Sequence, residues 1–254
     1  HKYQFETIIK RIKSTIEEET GNTIQIGFSH QKKHTDSISV DIENKPFRGK
    51  AGELVFRPGG HGALIENLSS LDADIVFIKN IDNVSHNAIK ENIHYKKLLG
   101  GILIETQKQV FKYQELLDNP EALSSEIINE IIKFCCEKLN RPVSSNFYKF
   151  QKDYQIQALK EILNRPIRVC GMVKNEGEPG GGPFWVKHED GSESLQIVES
   201  SQVDLDNPKQ IAIVNALTHF NPVDIVCGLK NYKGEKFDLT NFIDHNAGFV
   251  VNKN

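Results

Sequence analysis

The run Asp74-Ile75-Val76-Phe77-Ile78-Lys79 is apolar from Ile75 to Ile78 without alternation, and it stops on Asn80, Ile81, Asp82 and Asn83. A strand covered on both faces reads this way, whereas a strand with one face in water alternates. The run therefore predicts a central strand of a parallel sheet with helices on both sides. The polar residues behind it fall at the strand's carboxyl end, where open α/β sheets place their ligands. Asp82 offers a hard oxygen ligand for Mg2+ there. Asn80, Asp82 and Asn83 also suit a turn and a helix cap with no ligand at all.

The flanking segments extend this α/β pattern. Phe5, Ile8, Ile9, Ile12 and Ile16 share one helical face, and Gly21 supplies a stop. Thr23–Phe28 and Ser37–Ile42 alternate as strands do, and a short strand is expected at Leu54–Phe56. Helical periodicity covers about 86–117, 121–139 and 151–163, which predicts an α-helical insert over about 86–163. That insert would serve as a cap or as a dimer surface. Further strands are expected at Ile167–Val173, Phe184–Lys187, Leu195–Glu199 and Val223–Leu229, with a helix at about 208–217. The expected fold class is α/β, one domain over 1–254, with a mixed, mostly parallel sheet flanked by helices.

The charge balance narrows the functions. Net charge is −3 over 254 residues, with acidic and basic residues interspersed. A nucleic-acid binder usually carries a basic excess, so nucleic acid is not an expected partner. No apolar run approaches the roughly 20 residues of a membrane span. Cys135, Cys136, Cys170 and Cys227 contain no CxxC pair and read as reduced core thiols of a cytoplasmic protein.

Two glycine-rich stretches are candidate anion sites. Arg57-Pro58-Gly59-Gly60-His61-Gly62-Ala63 is a turn leading into a helical pattern. Backbone amides in such a turn can hold an anion. It matches neither GxxxxGK[ST] nor GxGxxG, so a tight turn is the alternative account. Lys174, at the end of a buried strand, opens a loop containing Gly180, Gly181 and Gly182. A lysine point charge suits phosphate, and glycines let backbone approach it; a hairpin connection explains the same residues. Trp185 reads as a core or interface residue, and Lys230, Lys233 and Lys236 as solvated loop charges.

The order Phe28-Ser29-His30-Gln31, then Pro58-Gly59-Gly60-His61-Gly62, then Val76-Phe77-Ile78-Lys79-Asn80-Ile81-Asp82-Asn83 resembles the UDP-sugar pyrophosphorylases. That resemblance covers about residues 28–83, with a looser one at Ile197–Val203. It implies a nucleotide-diphospho-sugar transferase fold. It also implies that Gly60, His61 and Gly62 line a uridine and sugar-phosphate pocket, that Gln31 lies near the base, and that Asp82 holds Mg2+ while Asn80 and Asn83 shape its loop. Glu199 would accept sugar hydroxyls. The whole chain resembles more closely a bacterial family catalogued as a domain of unknown function. The stretches that carry this are Phe56–Leu68, Cys170–Trp185 and His219–Asp224. The pyrophosphorylases' Gly-x-Gly-Thr-Arg loop has no counterpart here, since residues 1–22 read as an amphipathic helix. The expectation is a fragment of a longer protein.

The favoured function is nucleotidyl transfer to a sugar 1-phosphate with release of pyrophosphate, with Lys174 and Asp82 neutralising charge and the 59–62 turn aligning phosphates. The rivals are a non-catalytic module that binds a nucleotide or nucleotide-sugar, and an interaction protein, with a homo-oligomer possible through the helices.

Overall fold

The computed structural model describes residues 2–81, 84, 87–177, 180–188, 191–245 and 247–248. The chain divides into two compact units, His1–Leu71 and Asp72–Asn254.

The first unit begins with α1 (Lys2–Thr20), formed by the predicted isoleucine stripe. Gly21 ends it at φ +66°, its amide bonded to Glu17 O at 2.9 Å. That left-handed conformation is one glycine adopts without cost. The alternating segment 23–28 builds no strand. The amide of Ile24 instead bonds the Glu17 carboxylate at 2.6 Å. Strands β1 (Ser37–Ile38) and β2 (Phe56–Arg57) pair antiparallel, and bridges Val40–Pro46 and Arg48–Leu54 complete a small meander between them. The glycine turn leads through a 3-10 turn at His61–Leu64 into the short helix α2 (Ile65–Ser69). No described residue of this unit is buried.

The second unit holds the core. In order it contains β3 (Ile75–Lys79), α3 (Ile89–Leu117), α4 (Ser125–Glu137), α5 (Lys152–Leu163), β4 (Ile167–Cys170), β5 (Val173–Lys174), β6 (Gly182–Lys187), β7 (Glu193–Val198), α6 (Pro208–Asn215), β8 (His219–Phe220) and β9 (Asp224–Gly228). The three helices predicted by periodicity are all present. Val110, Leu117, Ile131, Cys135, Phe147, Leu159 and Leu163 from them form the main hydrophobic cluster. Ser124 caps α4 by accepting from the Ile127 amide at 3.4 Å, and Asn207 caps α6. Among the described residues no helix is long and apolar enough to cross a membrane.

The sheet corrects the expected fold class. Every strand pairing among the described residues is antiparallel, so there is no mostly parallel, doubly wound sheet and none of the transferase fold that the resemblance implied. The largest sheet has the order β3-β9-β4, with β9 antiparallel to both neighbours. Strands β3 and β4 run in the same direction but never touch, as in a split β-α-β unit. Continuous hydrophobicity reports burial and carries no information on direction. It also misplaced the centre. Phe77 of β3 is 53% exposed, whereas Val226 of β9 is fully buried. β6 and β7 form a hairpin whose Gln196 accepts a hydrogen bond from Arg168 of β4 at 2.7 Å. Trp185 on that hairpin is exposed, so it is not a core residue.

The four cysteines are free thiols. Burial, with Cys136 adjacent, pushes the Cys135 thiol up to about 12. Burial, with Cys170 nearby, pushes Cys227 to about 11.

Two outcomes follow for stability. Leu117→Ala and Leu159→Ala should each lower unfolding free energy by about 2–5 kcal/mol in urea titrations, whereas fully exposed Ile42 changed to Ala should shift it by less than about 0.5 kcal/mol. Because native Cys135 and Cys227 titrate above the ordinary thiol value of 9.0, their linkage contribution is complete below pH 9. It is lost as pH rises toward 11–12, where only the unfolded chain has already released its protons. Iodoacetamide at pH 8 should leave both thiols unmodified until denaturant is added. Rapid native labelling of either would contradict this burial.

Candidate functional site

Because β3 and β4 both oppose β9, their carboxyl ends meet the beginning of β9. Lys79, the last residue of β3, lies opposite Asp224, the first of β9. The Lys79 Nζ to Asp224 Oδ2 distance is 2.6 Å, with side-chain exposures of only 22% and 18%. Removing one partner from such a pair leaves a poorly hydrated charge, which costs more than the pair contributes. Asn80 follows Lys79 and is half-buried.

The entry to β9 is cross-braced. Buried Asn221 donates through Nδ2 to Gly171 O at 2.7 Å, and its Oδ1 accepts from the Val223 amide at 3.0 Å. The Gly171 amide donates to Asp224 O at 2.7 Å. A Cβ on Gly171 would meet Asp224 O and Leu99 Cδ1 at 3.2 Å each, so only glycine fits without displacement. Val223 has φ +56°. A β-branched residue in the left-handed region is strained by about 1–3 kcal/mol, and such residues cluster at functional sites.

Lys174 stands directly across from His219 in the β5–β8 ladder and is exposed, with no ion-pair partner among the described residues. Thr218 Oγ1 lies 2.9 Å from His219 Nδ1. The loop glycines beyond Lys174 are closely packed by the protein itself. A Cβ would approach Phe220 Cδ2 to 2.9 Å from Gly180, Ile197 Cγ2 to 2.5 Å from Gly181, and Leu217 Cδ1 to 2.6 Å from Gly182. Glu199 is brought against Gly181, 3.0 Å from the same notional atom, and caps the 3-10 turn Ser200–Gln202. The Asn221 amide donates to Gly181 O at 2.8 Å, joining this loop to the strand-end brace.

In the first unit, Gln31 and Gly59 come together. Gln31 Nε2 donates to Thr35 Oγ1 at 3.1 Å, and a Cβ on Gly59 would lie 3.1 Å from Thr35 O and 3.6 Å from Gln31 Nε2. Gly60 and Gly62 face open space, and His61 between them is exposed. Lys32 and His34 both bind Glu66, at 2.6 and 2.7 Å. Those contacts, Lys32 first and His34 second, hold the Glu66 carboxyl below its ordinary value. Asn67 donates to His30 O at 2.9 Å, while its Oδ1 is buried without a partner.

The candidates thus fall into separate groups: Gln31 with Gly59, Gly60, His61 and Gly62 in the first unit; Lys174, Gly180, Gly181, Gly182 and Glu199 in the second; and Asn80 beside the Lys79–Asp224 pair. Asp82 and Asn83 lie outside the described residues. Sequence reasoning gave no role to Lys79, His219, Asn221, Val223 or Asp224. The signal was charge at the ends of otherwise apolar strands, with Asn-Pro before the second of them. Among the described residues, no three His, Cys, Asp or Glu side chains cluster in a way that could hold a metal.

These features describe an α/β protein of small antiparallel sheets with a polar brace where three strand ends meet. The chain belongs to the family described as Domain of unknown function (DUF4301), which matches residues 1–254. No curated protein and no solved structure matches it.

Asn221→Ala should cost about 1–3 kcal/mol, because Gly171 O and the Val223 amide lose a buried partner. A double-mutant cycle of Lys79→Met and Asp224→Asn in urea should return a coupling of about 0.5–3 kcal/mol. Additive single effects would mean that the two charges act independently.

Proposed function

We propose that this chain handles a phosphorylated ligand of the nucleotide or nucleotide-sugar type. The observation that carries this is Lys174: an exposed cation without an ion-pair partner among the described residues, set opposite His219 and next to the braced strand ends. Three cations near the candidate groups are held by carboxylates: Lys79 by Asp224, and Lys32 and His34 by Glu66. The motif order across 28–83, which resembles that of the UDP-sugar pyrophosphorylases, adds support from the sequence.

Nucleotidyl transfer to a sugar 1-phosphate is the reaction these residues would serve. A sugar-phosphate oxygen attacks the nucleotide α-phosphorus, and pyrophosphate leaves. Such transfers require alignment and charge neutralisation more than covalent help. We assign charge neutralisation to Lys174 and to Asp82, the residue that would hold Mg2+; bound there, the ion would offset phosphate charge. A second reading is binding without turnover: residues 2–20 form the helix α1 and not a Gly-x-Gly-Thr-Arg loop of the pyrophosphorylase kind.

Thermal unfolding with UTP or a UDP-sugar tests the proposal. At about 100 times Kd, binding should add about 2.7 kcal/mol of apparent stability, or about 5–10 °C for a protein of this size. Lys174→Met should weaken the response to both ligands, and Asp82→Ala should remove its Mg2+-dependent part. No shift with any of these ligands would end the proposal. Stabilisation without pyrophosphate release in the presence of a sugar 1-phosphate would select the second reading.

A further inference from the structure

A cleft of about 320 Å3 opens between α6, β6 and the β5–β8 ladder. Its walls are apolar, built mainly from Met172, Phe184, Ile213 and Leu217, and no carboxylate lines it. Thr218 and His219 supply its polar edge. Residues directly opposite in an antiparallel ladder project to the same face. Lys174 is opposite His219, and Met172, just before β5, lines the cleft. Lys174 therefore projects to the face of the ladder that carries His219, a residue of the cleft's edge. The contact between Thr218 Oγ1 and His219 Nδ1 fixes the imidazole. It leaves Nε2 with no partner among the described residues.

An apolar recess with His219 on its edge, and Lys174 opposite His219 in the ladder, calls for a ligand of matching polarity. We propose that this cleft binds a small molecule made of a flat apolar ring body and a phosphate group. The ring lies between Phe184, Leu217 and Ile213, and the phosphate lies between Lys174 Nζ and His219 Nε2. The volume is at the low end of small-molecule sites, which suits one ring system and its immediate substituent rather than an extended dinucleotide. The cleft rests on the phosphorylated-ligand reading for its anion, and adds the site and the nature of the group attached. His219 becomes a binding residue, and Leu217, already packed on Gly182, sets the depth of the recess.

Isothermal titration of the chain with UMP, 1-naphthyl phosphate, uridine and inorganic phosphate tests this. At least one of the two ring phosphates should bind about 10-fold or more tightly than uridine or phosphate alone. Ala216 and Ile213 line the cleft but are exposed, so Ala216→Trp and Ile213→Trp can fill it without disturbing the core. Each should keep the wild-type melting temperature. Each should weaken the ring phosphates by about 10-fold or more, leaving inorganic phosphate unaffected. Lys174→Met and His219→Ala should weaken the phosphates and spare uridine. Ring-phosphate affinity unchanged in both folded tryptophan variants overturns the proposal, and so does the absence of binding by either ring phosphate. UTP stabilisation that survives both tryptophans would keep the nucleotide reading and remove the cleft. Naphthyl phosphate binding that both tryptophans abolish, with no response to any nucleotide, would do the reverse.

Discussion

Strand β9 joins the two ends of the second unit's sheet. It is the neighbour of both β3 and β4, and it is paired antiparallel to each. Its first residue, Asp224, closes an ion pair with Lys79 across 145 positions of chain. Without β9, the ends of β3 and β4 would be unpaired edges, with no reason to lie at one level. With it, Lys79, Asn80, Gly171 and Asn221 gather in one small volume. The polar brace is therefore a consequence of inserting a late strand between two early ones, and it forms only when the most distant part of the unit has docked. Contacts of this separation carry a high loop-closure cost before they yield any stabilisation.

The helices were legible because a period of 3.6 is written locally. α1, α3, α4 and α5 all fall where the apolar residues repeat, and α3 extends unbroken through Gly100 and Gly101. A Cβ on Gly100 would lie 3.0 Å from the Phe77 ring, a close approach that glycine avoids. Several strand positions were legible for the same reason, down to the hairpin of β6 and β7, but β8 and the break between β4 and β5 were not. Strand direction was not. β3 and β9 have similar apolar runs, yet one is an edge with Phe77 half in water and the other is the buried centre. Residues 23–28 show the complementary failure: they alternate correctly but find no partner strand, and a side chain of α1 takes the Ile24 amide instead.

The candidate site divides along the same line. Lys174, Gly59 and Gly60 could be picked out because lysine and glycine at loop starts have a local meaning. Lys79 and Asp224 could not, because each is ordinary in its own segment and only the register of β3 on β9 makes them a pair. Val223 is a case that sequence alone cannot reach. Nothing in Asn-Pro-Val-Asp announces a valine at φ +56°, which follows from Asn221 holding the Val223 amide while Gly171 holds the Asp224 carbonyl.

The two glycine-rich stretches carry unequal weight as ligand contacts. At Gly180, Gly181 and Gly182 the space a side chain would fill is already taken by Phe220, by Ile197 with Glu199, and by Leu217. Glycine is required there by packing alone, whatever binds nearby. Around Gly60 and Gly62 no atom lies within 4 Å of a notional Cβ, and neither has a positive φ. Neither close packing nor backbone strain calls for glycine at those two positions. What remains is access to the backbone from outside, which is what an anion approaching amides needs. The Lys174 loop is thus better regarded as a scaffold that sets Lys174 beside His219. In the Gly60-His61-Gly62 turn, the backbone is exposed and the glycines are fixed neither by packing nor by strain.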